Sequence, residues 1–204
     1  MLAWTIFLFV VGRLGTIELA ASNIAFRING FAFFPVIGLS QAVAVLVGQS
    51  QGRQDTIESV RITYAGLFLS EIWMLASAFV FIVFPEEIYL LFKSDIHGNG
   101  NYEAIIKTGT ILLQFIAFYS LFDALNIILS GALQAAGDTK WTMIFGLIAN
   151  ICFFTLLILA DFYKMGLWIE WILGALFVII TGLLWLYRFQ SGIWKSIKVI
   201  EHAP

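Results

Sequence analysis

The chain has little charge. Asp, Glu, Lys and Arg make up 12% of its 204 residues and the net charge is −2, whereas soluble domains carry roughly 25% charged residues. No basic cluster is available to neutralise a run of phosphates, which excludes a nucleic-acid partner. There is one cysteine, Cys152, set in an apolar run without a second thiol. That excludes a disulfide framework and a Cys/His metal site. The two histidines, His97 and His202, lie in polar sequence with no nucleophile pattern beside them and read as solvated side chains. Hydrophobic residues are abundant instead: 61% of the chain, against roughly 45–50% in soluble domains. This balance predicts an all-α polytopic membrane protein. Residues 1–204 show no repeat, linker or low-complexity segment and read as one transmembrane domain.

In chain order, the first apolar stretch is Leu2–Gly12. As a helix it is roughly 17 Å long, against a hydrocarbon core of about 30 Å, so it reads as a spanning helix that has lost its first half. The second element, Ile17–Gly52, is too long for one straight span, and Pro35 is expected to kink it. Its Gly30, Gly38, Ser40, Ala42, Ala44 and Gly48 suit close helix approach in lipid. Arg27 lies deep in this helix and needs an acidic or carbonyl partner, or must snorkel. A third span covers about Ile62–Phe84 and ends at Pro85, with Glu71 near mid-depth. Glu71 is expected to neutralise Arg27 or to serve as a second proton site; Asp123 is the other candidate partner for Arg27. Glu86–Tyr102 is the longest hydrophilic connection, with Lys93, Asp95 and the Gly98-Asn99-Gly100 turn signal. A span carrying Asp123 follows and stops at Ala136-Gly137, where glycine suits a left-handed C-cap and Asp138 a helix N-cap. The fifth span, about Trp141–Ala160, holds Asn150, an amide expected to bond a neighbouring helix. The sixth, about Leu167–Tyr187, has Trp168, Trp171 and Trp185 as expected interface aromatics. The tail, about 188–204, sets Ile193, Trp194, Ile197 and Ile200 against Arg188, Lys195 and Lys198. This basic, amphipathic tail is expected to lie on the cytoplasmic interface. Lys and Arg are biased six to four toward the loops after the even-numbered spans, which places the C-terminus in the cytoplasm.

The stretch 115–140 organises the rest. Tyr119, Ser120, Asp123, Asn126, Ser130 and Gln134 recur at helical spacing and form one polar stripe on an otherwise apolar helix. A carboxylate at mid-membrane costs on the order of 3 kcal/mol or more and is expected to face a bundle interior or a wet cavity. Asp123 is therefore a candidate proton or cation site. A helix–helix contact through a basic or amide partner is the structural alternative. No other cofactor or metal is expected; Na⁺ at Asp123 is the one candidate ion. An intramembrane enzyme would need a nucleophile–base pair or paired aspartates within the spans. Only Asp123 and Glu71 are available, and neither sits in a recognisable motif.

Three further motifs carry a resemblance. Leu14-Gly15, Leu19-Ala20-Ala21, Ile24, Phe33, Pro35, Gly38, Ala42 and Leu46-Val47-Gly48-Gln49 form the first. Ser130-Gly131-Ala132-Leu133-Gln134-Ala135-Ala136-Gly137-Asp138-Thr139 forms the second, and Ser191-Gly192-Ile193-Trp194-Lys195 the third. In this order they resemble the second repeat of multidrug and toxic compound extrusion (MATE) transporters. Gln134 stands where that family usually has arginine, and Ala135 where it has glycine. The resemblance implies the C-terminal six-helix lobe of a twelve-helix, plasma (inner) membrane antiporter, present here as a half or fragment whose partner is an N-terminal lobe. Such a transporter exports amphipathic or cationic compounds against an inward H⁺ or Na⁺ gradient. Asp123 then matches a membrane-embedded acidic residue found about 15 residues before the aspartate of G-D-T. Glu71, for which the family offers no counterpart, is the second candidate ion-coupling residue on its depth alone, and Arg27, Tyr119, Asn126, Ser130 and Asn150 are the expected polar cavity lining. The family's acidic residue in the lobe's first helix has no counterpart here. The alternatives are a lipid-linked oligosaccharide flippase of the same superfamily, for which Arg27 is the one basic residue available to a pyrophosphate, and a non-transporting membrane subunit.

Overall fold

The computed structural model describes residues 2–92 and 102–197. Lys93, Asp95, His97, the Gly98-Asn99-Gly100 turn signal, Lys198, Ile200 and His202 lie outside them. The described residues form α1 (Leu2–Gly12), α2 (Thr16–Gly52), α3 (Thr56–Val83), α4 (Pro85–Leu91), α5 (Tyr102–Ala135), α6 (Thr139–Phe162), α7 (Leu167–Gln190) and a 3-10 turn (Ile193–Ser196). Five of these, α2, α3, α5, α6 and α7, are long and apolar enough to cross a membrane. The protein is an all-α, multi-pass membrane protein. α1, with 11 residues, is too short to cross on its own.

Composition and capping set the helix limits. α2 continues as one element through Pro35. At 37 residues it is roughly 55 Å long, well beyond a hydrocarbon core of about 30 Å. Its turn into α3 is fixed by a buried hydroxyl pair, Ser50 Oγ to Ser59 Oγ at 2.6 Å, with Gln51 Nε2 donating to Ser59 Oγ. Asp55 caps α3 by accepting from the Glu58 amide at 2.9 Å, which satisfies one of the helix's unpaired donors. α5 ends as the sequence predicts. Gly137 sits at φ 91°, the Asp138 amide donates to Leu133 O and the Gly137 amide to Gln134 O. That is the paired C-terminal bonding of a Schellman turn.

The interior is built on three parallel helices, α2, α5 and α7. Ser40 Oγ of α2 donates to Ile127 O of α5 at 2.8 Å, and a Cβ on Gly131 would stand 2.6 Å from that hydroxyl. Toward the other end, Trp171 of α7 stacks on Phe26 of α2 at 5.1 Å and donates to Ser22 Oγ. α5 and α7 approach at Gly182, where a Cβ would lie 2.9 Å from Phe122 O. α3 runs antiparallel to α2: Gly66 meets Val43, and Trp73 Nε1 donates to Ala32 O at 2.9 Å.

Four expectations need correction. The connection after Pro85 is not wholly a loop. Proline at N1 and Glu86 and Glu87 in the first turn start α4, a position and charge that suit a helix N-terminus. Tyr89 of α4 is buried, donates to Ala21 O at 2.8 Å, and fits over Gly109, where a Cβ would stand 2.1 Å from its ring. Burial pushes the Tyr89 phenol above its ordinary pKa. Second, the sixth span does not end at about Tyr187. α7 runs on to Gln190, the chain turns at Gly192 (φ 69°), and Trp194 folds back against Phe189 at 5.0 Å. Third, Trp171 (1% exposed) and Trp185 are core residues rather than interface anchors; only Trp168 is exposed, at 42%. Fourth, Gly30 and Gly38 have no atom within 4 Å of an added Cβ, so no helix packs against them here.

Candidate functional site

Asp123 sits on the most centrally packed helix. It lies 12 residues before the end of α5, about 18 Å along the axis, which is mid-depth for a hydrocarbon core of about 30 Å. Its side chain is buried at 6% exposure, and Oδ2 has no hydrogen-bond partner among the described residues. Tyr119, one turn earlier, is 1% exposed and its hydroxyl is likewise unpartnered. Ser120 is wholly buried and turns its hydroxyl back to Ala117 O. Nearly all buried polar groups in folded proteins have partners. Two unpartnered oxygens on adjacent turns of one buried helix are therefore an exception that calls for a chemical role.

The rest of the polar stripe divides. Asn126 Nδ2 donates to Phe122 O of its own helix and to Val178 O of α7, both at 2.9 Å. It is a bond between α5 and α7, made possible by Gly182, and not an open lining group. The Ser130 hydroxyl returns to Asn126 O and Ile127 O. Gln134 is exposed. Asn150 bonds its own helix at Gly146 O, 2.7 Å, not a neighbouring one. α6 is the span with the least buried apolar window, so its amide meets its own carbonyl first.

Arg27 and Glu71 do not point into the bundle together. Arg27 is exposed on α2 and no ion pair joins it to Glu71 or Asp123. It shares a stripe of α2 with Phe31, Phe34, Gly38, Gln41, Ala42 and Val45, all exposed. Glu71 is half-buried on α3. Other charges pair within the described residues. Arg188 Nε donates to Asp138 Oδ2 at 2.7 Å and its Nη2 to Asp138 Oδ1 at 3.1 Å. The guanidinium also lies 4.8 Å over the Trp141 ring. Asp138 is thus not simply the N-cap of α6: its carboxylate makes no cap bond and instead clamps the α5–α6 turn to the end of α7. Arg13 pairs with Asp161 at the opposite end.

Two buried polar residues escape a reading of the sequence. Asn29 of α2 is buried with Oδ1 unpartnered. The parallel register of α2 on α5 sets it level with about residue 117, near the depth of Tyr119. Its signal was a lone amide in an apolar helix, but so are Asn23 and Gln41. Glu170 is 0% exposed and neither carboxyl oxygen has a partner. It sits in the first turn of α7, where an acidic residue ordinarily reads as a favourable match to the helix dipole. Among the described residues no three His, Cys, Asp or Glu side chains cluster as a metal site.

The fold and site define a class: a multi-pass helical membrane protein with a buried carboxyl, one oxygen of it unpartnered, on its central helix. A model of the MatE family matches residues 2–159, and the chain belongs to that family. It is similar to proteins named "Probable multidrug resistance protein NorM". That of Rhizobium meliloti is 30% identical over 206 residues, covering 98% of this chain and 42% of the relative. That of Pseudomonas putida is 32% identical over 138 residues, covering 68% and 29%. That of Thermotoga maritima is 25% identical over 187 residues, covering 89% and 38%. The chain thus spans less than half the length of these relatives.

Proposed function

We propose that this chain supplies one lobe of a secondary active transporter that exports amphipathic or cationic compounds against an inward H⁺ or Na⁺ gradient, with Asp123 carrying the coupling ion. The observation that carries this reading is the buried Asp123 carboxyl, whose Oδ2 is unpartnered, one turn from the unpartnered Tyr119 hydroxyl. A buried carboxylate with no donor is expensive. A proton or a cation removes that cost, and losing it again changes how α5 packs against its neighbours. The printed names of the relatives, multidrug resistance proteins, support the substrate class. Glu71 is the second candidate coupling residue. Arg27, on the exposed stripe of α2 with Gly38, Gln41 and Ala42, is proposed to face the second lobe, with the substrate cavity between. The membrane is proposed to be the plasma (inner) membrane, with the C-terminus in the cytoplasm. The test is Asp123→Asn in the transporter assembled with its second lobe, which keeps shape and removes the ionisable group. Gradient-driven efflux of a cationic dye is expected to be abolished while the protein remains monodisperse on gel filtration, and Glu71→Gln is expected to lower efflux less. Wild-type efflux in Asp123→Asn would refute the coupling role.

A further inference from the structure

We propose that Glu170 is a second proton-binding site, distinct from Asp123, at the end of the bundle where α1, α6 and α7 meet. The contacts of α7 fix where its side chain points. Gly174, one turn later, faces α1: a Cβ there would stand 3.7 Å from the Phe7 ring and 3.8 Å from the Trp4 ring. Phe177 faces α6, stacked on Phe153 at 4.5 Å. At roughly 100° per residue, Glu170 projects between these two directions, toward the seam of α1 and α6. Phe145 against Trp185 and Phe153 against Phe177 set α6 antiparallel to α7 and bring Glu170 level with about Ala160. The carboxyl there is 0% exposed, and neither oxygen has a partner among the described residues.

The charges around that seam leave the carboxyl unbalanced. α1 and α6 carry none from Leu2 to Gly12 or from Trp141 to Ala160. Arg13 and Asp161 come next and neutralise each other, and Lys164 is exposed in the turn to α7. On α2, Glu18 lies back over Gly15, and Arg27 is on the exposed stripe. α5 meets another side of α7, through Phe115 and Trp168 and through Asn126 and Val178 O, so Tyr119 and Asp123 do not face Glu170. A hard cation takes several oxygen ligands, whereas the seam offers the hydrocarbon of Val10, Val11, Leu157 and Ala160, all buried. An ionised carboxylate in that setting bears the full cost of burial, and a proton removes it without further ligands. A cleft of about 390 Å³, lined in part by Leu14, Gly166 and Leu167, brings water to within one turn of Glu170 along α7. In the orientation proposed above this end faces outward, the side from which protons enter.

Proton occupancy can be read without transport, so the outcome is separate from the coupling role of Asp123. The purified chain in phosphatidylcholine liposomes is titrated upward from about pH 6, where an ordinary glutamate is already ionised, and followed by infrared difference spectroscopy. A protonated-carboxyl band should disappear as the pH rises, be missing from Glu170→Gln and persist in Asp123→Asn. Glu170→Gln is a neutral isostere of the protonated form. It should remain monodisperse and keep its resistance to SDS at alkaline pH, where the wild type, which must release the proton, loses part of its own. Coincident difference spectra of the wild type and Glu170→Gln would overturn the proposal. So would a Glu170→Gln chain that fails to fold, since the neutral form is the one held to pack. A wild-type spectrum that follows sodium at constant pH would overturn it too, because a metal cation would then occupy the carboxyl.

Discussion

At the scale of single residues, the Asp138–Arg188 pair is more deeply buried than Arg13–Asp161 or Arg53–Glu58. Both side chains are largely buried, at 5% and 14% exposure, the geometry is two-pronged, and Trp141 covers the guanidinium. Breaking such a pair from one side leaves a buried charge uncompensated and costs about 3–5 kcal/mol, whereas replacing both partners by neutral groups costs far less. Arg188→Met alone is therefore expected to destabilise strongly in a denaturant or SDS titration, and Asp138→Asn/Arg188→Met to recover most of that loss. Simple additivity of the two single variants would show that the pair is not coupled. The sequence made Asp123 visible because a carboxylate in an apolar run is rare. It could not reveal this pair, since 50 residues separate its members and Asp138 has a sufficient local explanation as a cap. Arg27 failed in the opposite way. Its depth along α2 was legible, but which side of α2 it faces depends on where α5 and α7 pack.

At the scale of elements, the spans were readable from hydrophobic length and from Gly137, which stops α5. α4 was not, because seven residues with two glutamates look like loop until Tyr89 finds its slot over Gly109. Which glycines mark helix contacts was not readable either, since Gly30, Gly38 and Gly182 look alike in sequence. In the structure they differ. A Cβ at Gly182 would meet Phe122 O at 2.9 Å and Asn126 Nδ2 at 3.3 Å, whereas one at Gly146 of α6 meets nothing within 4 Å. Gly182→Ala must push α5 from α7 and disturb the Asn126–Val178 bond, for a loss of about 1–3 kcal/mol. Gly146→Ala only removes backbone freedom from the unfolded chain and is expected to gain about 0.5–1 kcal/mol. Opposite signs in matched unfolding titrations are the expected result. A destabilised Gly146→Ala would mean that something packs on that face of α6.

At the scale of the whole molecule, the three parallel helices α2, α5 and α7 bury Asp123, Tyr119 and Asn29 inside one bundle, while the stripe of α2 from Arg27 to Val45 is exposed. Gln41 facing hydrocarbon would be costly, and Gly38 and Ala42 leave that stripe shallow enough for another helix to approach. The relatives are more than twice as long as this chain, which accords with a second lobe covering the stripe. It follows that residues 1–204 reconstituted alone should bind the coupling ion without moving substrate. The proposed ion site lies within this chain; the substrate cavity is proposed to need a second lobe as well. In liposomes with an imposed H⁺ or Na⁺ gradient, a cationic dye should not redistribute in response to the gradient. Gradient-dependent dye movement with no partner protein would show that two copies of this chain build the cavity between them. The stripe from Arg27 to Val45 would then be the surface through which they meet.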